Sequence, residues 1–284
     1  LAEHETQAEQ VGTYWYHSHV RGQYLDGLRG PLIIHDPENP FRAQFDEEMV
    51  LTLSDWYHKE MAELMPKYKN GGGMMSREPV PDATLLNDTQ NLQVAVQPAK
   101  TYLVHAVNIG AFVGQYFWVE GHPMTIVELD GSYVRPTVAE MIYLASGQRC
   151  SFLLTTKAEA SQNYPMVASM DRVRYGMHFI HGRLLTCCFQ SLFRKADHVN
   201  TDVVGWLVYD LAQSLPSPTE VQEYNPIDDM GLVPYDDMPL LRKADQTITL
   251  SLNMEHKNGG SQYVAETFCL LLCVQIRCKM LSAN

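Results

Sequence analysis

Gly12-Thr13-Tyr14-Trp15-Tyr16-His17-Ser18-His19 is a run of aromatic residues and threonine that ends in two histidines spaced two apart. Aromatic and β-branched residues favour the pleated, half-buried surface of a strand. In a strand, residues two apart face the same side, which predicts that both imidazoles project together about 6.6 Å apart along the backbone, at roughly 3.3 Å per residue. Such a pair can ligate one metal ion or two adjacent ones, and it can equally be two surface histidines on a strand. Imidazole suits copper, zinc and iron, so the bare spacing leaves the metal open.

The strand reading extends outward from this run. Alternating or short apolar runs between clusters of Gly, Pro, Asn and Asp predict strands at Tyr14–His19, Pro31–His35, Met49–Leu53, Leu92–Val96, Thr101–Asn108, Gln115–Glu120, Met124–Asp130, Met141–Leu144, Cys150–Thr155, Val203–Tyr209 and Thr247–Leu252. One helix is predicted over His58–Tyr68, with Met61, Leu64, Met65 and Tyr68 at helical spacing and Gly71-Gly72-Gly73 as its stop. Many short strands with few helices imply an all-β Greek-key sandwich or barrel. The polar stretch Pro37–Phe45, with two prolines, marks a domain boundary. Two stretches break the pattern: residues 172–198, which mix Arg, His, Cys and Phe without period, and residues 261–284, an apolar tail with three cysteines. Both are expected to be foreign to the ancestral protein.

Of the 284 residues, 33 are acidic and 21 basic, a formal charge of -12 that repels phosphate backbones and argues against nucleic-acid binding. A cation or a basic partner suits it better. No run reaches the roughly 18 apolar residues of a membrane span. The opening Leu1-Ala2-Glu3-His4 has neither an initiator Met nor a signal-peptide core, and is expected to be internal to a gene. The six cysteines, with Cys150 alone and the rest in two patches, form no disulfide framework. Asn87-Asp88-Thr89 is a glycosylation sequon that would make this a secreted glycoprotein if used.

The histidine run, followed by Gly22-Gln23-Tyr24, Asp26-Gly27, Gly30-Pro31-Leu32-Ile33-Ile34 and Asp36, resembles the second histidine motif of the multicopper oxidases, the laccase and ferroxidase superfamily. The resemblance continues through Leu53-Ser54-Asp55-Trp56-Tyr57-His58, Leu86-Asn87-Asp88-Thr89-Gln90-Asn91-Leu92, Val107-Asn108-Ile109-Gly110-Ala111-Phe112 and Gln115-Tyr116-Phe117-Trp118-Val119-Glu120-Gly121-His122. It fades after Met170-Asp171 and returns from Gly205 to Asp237. It implies cupredoxin-like domains: residues 1–40 the end of a first, 41–212 the body of a second, and 213–284 a linker into a truncated third. It implies copper as cofactor, with His17 and His19 as ligands of a type 3 copper pair.

Within the superfamily the middle text is most similar to the fungal iron-transport ferroxidases, in which a glutamate after the Gln-Tyr-Phe-Trp run helps hold ferrous iron. Glu120 occupies the matching place, and Asp228 and Asp229 match a second acidic stretch of which one aspartate would complete the iron site. A carboxylate favours the harder ferric ion and so lowers the potential of the bound iron. The resemblance further implies ferrous iron and dioxygen as substrates, an iron permease as partner and a cell-surface location. The remaining motifs of the family, three more His-x-His pairs and a His-Cys-His segment, do not occur in the sequence, so this chain alone is expected to be inactive. The alternatives are a laccase-type phenol oxidase and a non-catalytic truncated cupredoxin module. The other histidines are read as structural: His35, His105 and His58, with His122 as a possible neighbour of Glu120. His178, His181, Cys187, Cys188 and His198 imitate a zinc cluster, but at no familiar spacing.

Overall fold

The apolar alternation of the sequence is realised as two packed sheets. The computed structural model describes residues 10–70, 79–171, 173–174, 178–180, 183–185, 190–191, 201–238, 253–257 and 260–264. Contacts divide the chain into two units, Leu1–Met61 with Val80–Asp236, and Ala62–Pro79 with Asp237–Asn284.

The first unit begins with β1 (Gly12–His17) and β2 (Arg29–Ile34), an antiparallel ribbon in which Gly12 faces Ile34 and His17 faces Arg29. β3 (Glu47–Trp56) follows and leads towards α1 (Met61–Asn70). Then come β4 (Ala83–Leu86), β5 (Gln93–Ala95), β6 (Thr101–Asn108), β7 (Gln115–Val119), β8 (Met124–Leu129), β9 (Ser132–Ala139), β10 (Ile142–Leu144), β11 (Arg149–Thr155) and β12 (Tyr164–Met170). Four strands of two or three residues, β13 (Val173–Arg174), β14 (His178–Ile180), β15 (Arg183–Leu185) and β16 (Gln190–Ser191), precede β17 (Asp202–Val208). In the second unit, β18 (Asn253–Lys257) pairs with β19 (Gly260–Val264).

One sheet runs β10-β7-β12-β17-β5 and the other β4-β3-β6-β11-β8-β9. The pairings are antiparallel except β17 with β5 and β3 with β6. Parallel neighbours need a long connection that leaves the sheet and returns to it, and the two sheets stack as the layers of a β-sandwich. Between the layers lies the main core, built from Val104 and Ala106 of β6, Phe117 and Val119 of β7, Phe152 and Leu154 of β11, and Met166 and Ala168 of β12. The alternate residues of the six-stranded sheet are buried too. Leu103, Val127 and Leu153 pack on Phe41 and Phe45 of the 36–46 loop. A sheet covered on both faces needs strands with little polar alternation, which is why β6 and β11 read as near-continuous apolar runs.

Where strands escaped the sequence reading, the physics is visible. Ala83–Leu86 is buried at all four positions, so it shows no alternation. Ser132–Ala139 contains Arg135 and Pro136 and lies at the edge of its sheet, where a missing N–H is tolerated. The first strand ends at His17 rather than His19, because Ser18 turns the chain. Its Oγ accepts from Val20 N at 3.2 Å and donates to Gln23 Oε1 at 2.7 Å. The helix starts three residues later than expected, after His58 is drawn to Asp82 through its backbone N–H (2.8 Å) and its ring (3.3 Å). The strand expected at Thr247–Leu252 lies outside the described residues.

Candidate functional site

The two histidines of the opening motif stand side by side. Their ring centroids are 6.1 Å apart and their planes 29° from parallel, although His19 lies just past the end of β1. His17 is wedged between Trp15, at 4.5 Å between centroids, and Tyr24, at 4.7 Å. The Tyr24 hydroxyl donates to the carbonyls of Gly110 and Ala111, both at 3.3 Å. Burial, helped by the charge of Asp55, pushes the Tyr24 hydroxyl up to about 12, so it stays protonated as that donor.

His17 Nδ1 lies 3.0 Å from the Ser18 carbonyl. A carbonyl only accepts, so Nδ1 carries the hydrogen and the lone pair sits on Nε2. That is how ligating histidines are commonly oriented, with one ring nitrogen tied to a backbone acceptor. Two exposed imidazoles with rings set side by side fit a copper ligand pair. Among the described residues, no group of three or more His, Cys, Asp and Glu side chains gathers around a metal position.

The second feature sits where β7 ends. Glu120 lies in a turn closed by His122 N donating to Val119 O at 3.2 Å, with Gly121 at φ +65°. The half-buried carboxylate of Glu120 accepts from Thr219 N at 2.5 Å. It lines a cavity of about 460 Å³ together with Trp118, Glu140, Met141, Val221 and Glu223. Sequence reasoning missed Glu140 and Glu223. They come from segments far apart in the chain, and nothing in their own neighbourhoods signals that Glu120 shares their cavity.

Asp228 and Asp229 are placed otherwise. Asp228 is exposed and its Oδ1 accepts from Met230 N at 3.1 Å, capping a short 3-10 turn. Asp229 is half-buried and accepts from Gln148 Nε2 at 2.9 Å. Neither lines the cavity of Glu120.

The other histidines whose side chains are described, His35, His58, His105 and His122, are engaged in the scaffold. His122 is buried between Glu120 O, 2.8 Å from Nδ1, and Tyr209 OH, 2.7 Å from Nε2, so neither ring nitrogen is left for a metal. His35 and His105 both face Glu48 Oε2, at 3.3 and 3.4 Å. The sequon asparagine, Asn87, is exposed, but its amide accepts from Thr52 N at 2.7 Å and donates to Val50 O at 3.1 Å. His181, Cys187, Cys188 and His198 fall outside the described residues, and of His178 only the backbone strand is described.

Two motif runs that carry the resemblance bind each other. Asp55 accepts from Ala111 N at 2.6 Å and Phe112 N at 3.0 Å, while Asn108 Nδ2 donates to Val113 O and Leu144 O. Those residues hold loops in place.

Comparison with known proteins agrees with this architecture. Two family models, both described as multicopper oxidase, match residues 2–39 and 47–181. The chain is 50% identical over 257 residues to the iron transport multicopper oxidase fetC of Epichloe festucae, covering 90% of this chain and 38% of that protein. The FET3 proteins of Gibberella zeae and Saccharomyces cerevisiae, which bear the same description, are 48% and 34% identical, covering 90% and 89% of this chain and 38% and 37% of theirs. The crystal structure of Fet3p, a multicopper oxidase that functions in iron import, superposes with a TM-score of 0.76 at 34% identity, covering 90% of this chain and 45% of that one. A laccase from Botrytis aclada superposes at 0.65 with 23% identity, covering 90% and 46%, which shows the shared fold. The chain therefore spans little more than a third of the length of these curated relatives, and it belongs to the multicopper oxidase family as a stretch similar to its fungal iron-transport members.

Proposed function

We propose that this chain supplies one ligand pair and an iron-facing carboxylate to a multicopper oxidase that oxidises Fe(II) to Fe(III) and reduces dioxygen to water. Four ferrous ions give up one electron each, and one dioxygen with four protons becomes two waters. His17 and His19 would hold copper through their imidazoles, and the bound coppers would supply the electron storage that a four-electron reduction demands. The protein's own part is to fix both rings side by side, with the His17 lone pair on Nε2.

The observation that carries the iron reading is the cavity of Glu120. Three carboxylates, from Glu120, Glu140 and Glu223, line it beside Trp118, in a chain whose formal charge is -12. Negative lining raises the local concentration of a dication and favours the ferric product. Asp228 and Asp229 add negative charge on the same unit, outside that cavity. The break between the two family matches, at residues 39 and 47, supports residues 1–40 as the end of one cupredoxin domain and 41–212 as the body of the next. The relatives are described as iron transport oxidases, which supports an iron-transport role, and delivery of the product to an iron permease at the cell surface is part of the same proposal.

These 284 residues contain a single His-x-His pair, so by themselves they are proposed to be inactive. In a complete oxidase built on this chain, Glu120→Ala is expected to lower kcat/KM for Fe(II) about tenfold or more and to leave phenol oxidation intact. Unchanged iron kinetics in that variant would move the protein to the laccase type.

A further inference from the structure

Glu128 is a charged residue inside a buried strand, and β8 is built to turn it outward. Along Met124–Leu129, strict alternation would send residue 128 to the inner face with Met124 and Ile126. The pairing of β8 with β9 shifts register between Ile126 and Glu128, and its pairing with β11 shifts at the matching place. This bulge lets Val127 pack on the outer face and also points Glu128 to that face, opposite Ser151.

On the outer face the carboxylate meets β1. Glu128 Oε1 accepts the backbone N–H of Thr13 at 2.7 Å, and Oε2 accepts from Ser151 Oγ at 2.7 Å and lies 3.2 Å from Thr13 Oγ1. Thr13 Oγ1 is also 2.7 Å from His105 Nδ1 and 2.8 Å from Ser151 Oγ. All four side chains are buried, Glu128 at 4% exposure, so the cluster is a desolvated polar knot whose loss would leave orphaned groups. The strand is shaped for this approach. A Cβ on Gly12 would come within 2.8 Å of Glu128 Oε1, and Gly12 sits at φ +127°, where a side chain is strained in any case. From the same sheet Arg149 Nε donates to Thr13 O at 3.1 Å, so both backbone polar groups of Thr13 are held.

Thr13 and His17 belong to one six-residue strand, and alternation puts them on the same side of it. Resting on the copper reading of His17 and His19, we propose that Glu128 and Thr13 are positioning residues for that pair: the knot fixes where the β1-β2 ribbon is anchored on the six-stranded sheet and hence where the imidazoles at and just past the end of β1 stand. Groups behind metal ligands commonly set their orientation in this way, usually by touching the ligand itself. Here the connection runs from Thr13 to His17 along paired strand, and His19 follows one turn residue later.

The test uses a complete, copper-loaded oxidase built on this chain, with variants Glu128→Gln, Thr13→Val, Thr13→Ser and His17→Ala. Thr13→Val keeps the branched shape and removes the hydroxyl, and Thr13→Ser restores it. Retained blue absorption, from copper held by a cysteine thiolate elsewhere in the protein, certifies folding. Glu128→Gln and Thr13→Val are expected to expose a paramagnetic signal from copper ions no longer coupled as a pair, or to lose part of the copper. They should also lower kcat about tenfold with KM for Fe(II) unchanged, while Thr13→Ser stays near the parent protein. Wild-type copper content, a silent pair and unchanged kcat in both variants, with only a lower melting temperature, would reduce the knot to a structural role and overturn the proposal. Full copper retention in His17→Ala would instead overturn the ligand reading beneath it.

Discussion

His122 Nε2 lies 2.7 Å from the hydroxyl of Tyr209, whose oxygen also accepts the backbone N–H of Lys157 at 2.7 Å. With Nδ1 committed to the Glu120 carbonyl, Nε2 has to be the acceptor of the Tyr209 hydrogen, and the ring is neutral.

That arrangement sets a pH dependence. Burial holds the His122 pKa below its ordinary value of 6.5, against the Glu120 carbonyl and with help from the charge of Lys157. Burial likewise lowers His105, against the opposing pull of Glu128 and Glu48. In the unfolded chain both rings regain the ordinary value, so below about pH 6.5 the unfolded state binds more protons than the folded one. Stability from these two groups is therefore level above pH 6.5 and falls as the pH drops from there through the folded-state values. The urea midpoint should be lower at pH 5.5 than at pH 7.5, with a shallower slope in His122→Phe even though that variant is weaker overall. A midpoint that does not move over this range in the parent protein would contradict the assignment.

Asp55→Asn tests the bond between two motif runs. The carboxylate, 1% exposed, accepts from Ala111 N, Phe112 N and Tyr57 OH. An amide offers one oxygen to those three donors and turns its own NH₂ towards the others. The expected loss is about 2–3 kcal/mol of unfolding free energy, from charge-assisted bonds removed and donors left buried. Equilibrium urea unfolding reads it directly, and a change within about 0.5 kcal/mol would show that the loop is held by something else.

The sandwich was largely legible in the sequence because burial on one or both faces imposes strong patterns: Thr101–Asn108 and Gln115–Val119 could be read almost to the residue. The neighbouring placement of the two imidazoles was expected from strand alternation, but the strand stops at His17, so the position of His19 is set by the turn that follows and not by the pleat. What escaped is what no local pattern encodes. The bulge at Val127 reverses the facing of Glu128 and is visible only from its partner strands. Glu140 and Glu223 meet in the cavity of Glu120 only after two loops fold over the outer face of the five-stranded sheet. A clue to the knot was present in Met124–Leu129 itself, because a carboxylate in a run otherwise bound for the core has to find donors.

Gln115 carries an imperfection that substitution should repair. Its side chain is fully buried, Oε1 accepts from Thr84 Oγ1 at 2.8 Å, and Nε2 has no hydrogen-bond partner among the described residues. Thr84 Oγ1 is also 3.2 Å from Ser54 O, so it keeps an acceptor if Gln115 is replaced. Gln115→Met fills nearly the same volume without a stranded N–H₂, and is expected to raise stability by about 1 kcal/mol. A loss of more than that in thermal or urea unfolding would mean that the amide is satisfied in solution, with ordered water the first suspect.

Cys150 should serve as a built-in reporter of unfolding. It sits in β11, paired with Ala106 on one side and Leu129 on the other, at 2% exposure in the main core. Burial pushes its thiol well above the ordinary range, and the charges of Glu128, Asp130 and Asp229 push the same way, so the reactive thiolate is suppressed as well as shielded. Because β6, β8 and β11 hold the centre of the six-stranded sheet, this thiol should become accessible only when the sheet as a whole opens. Alkylation at pH 8 followed by peptide mapping should therefore leave Cys150 unmodified in the folded protein. Its labelling rate should rise with urea in parallel with the global transition. Modification of Cys150 in native buffer at the rate of an unhindered thiol would show that the sheet opens locally at β11, and would weaken the case for that strand as its rigid centre.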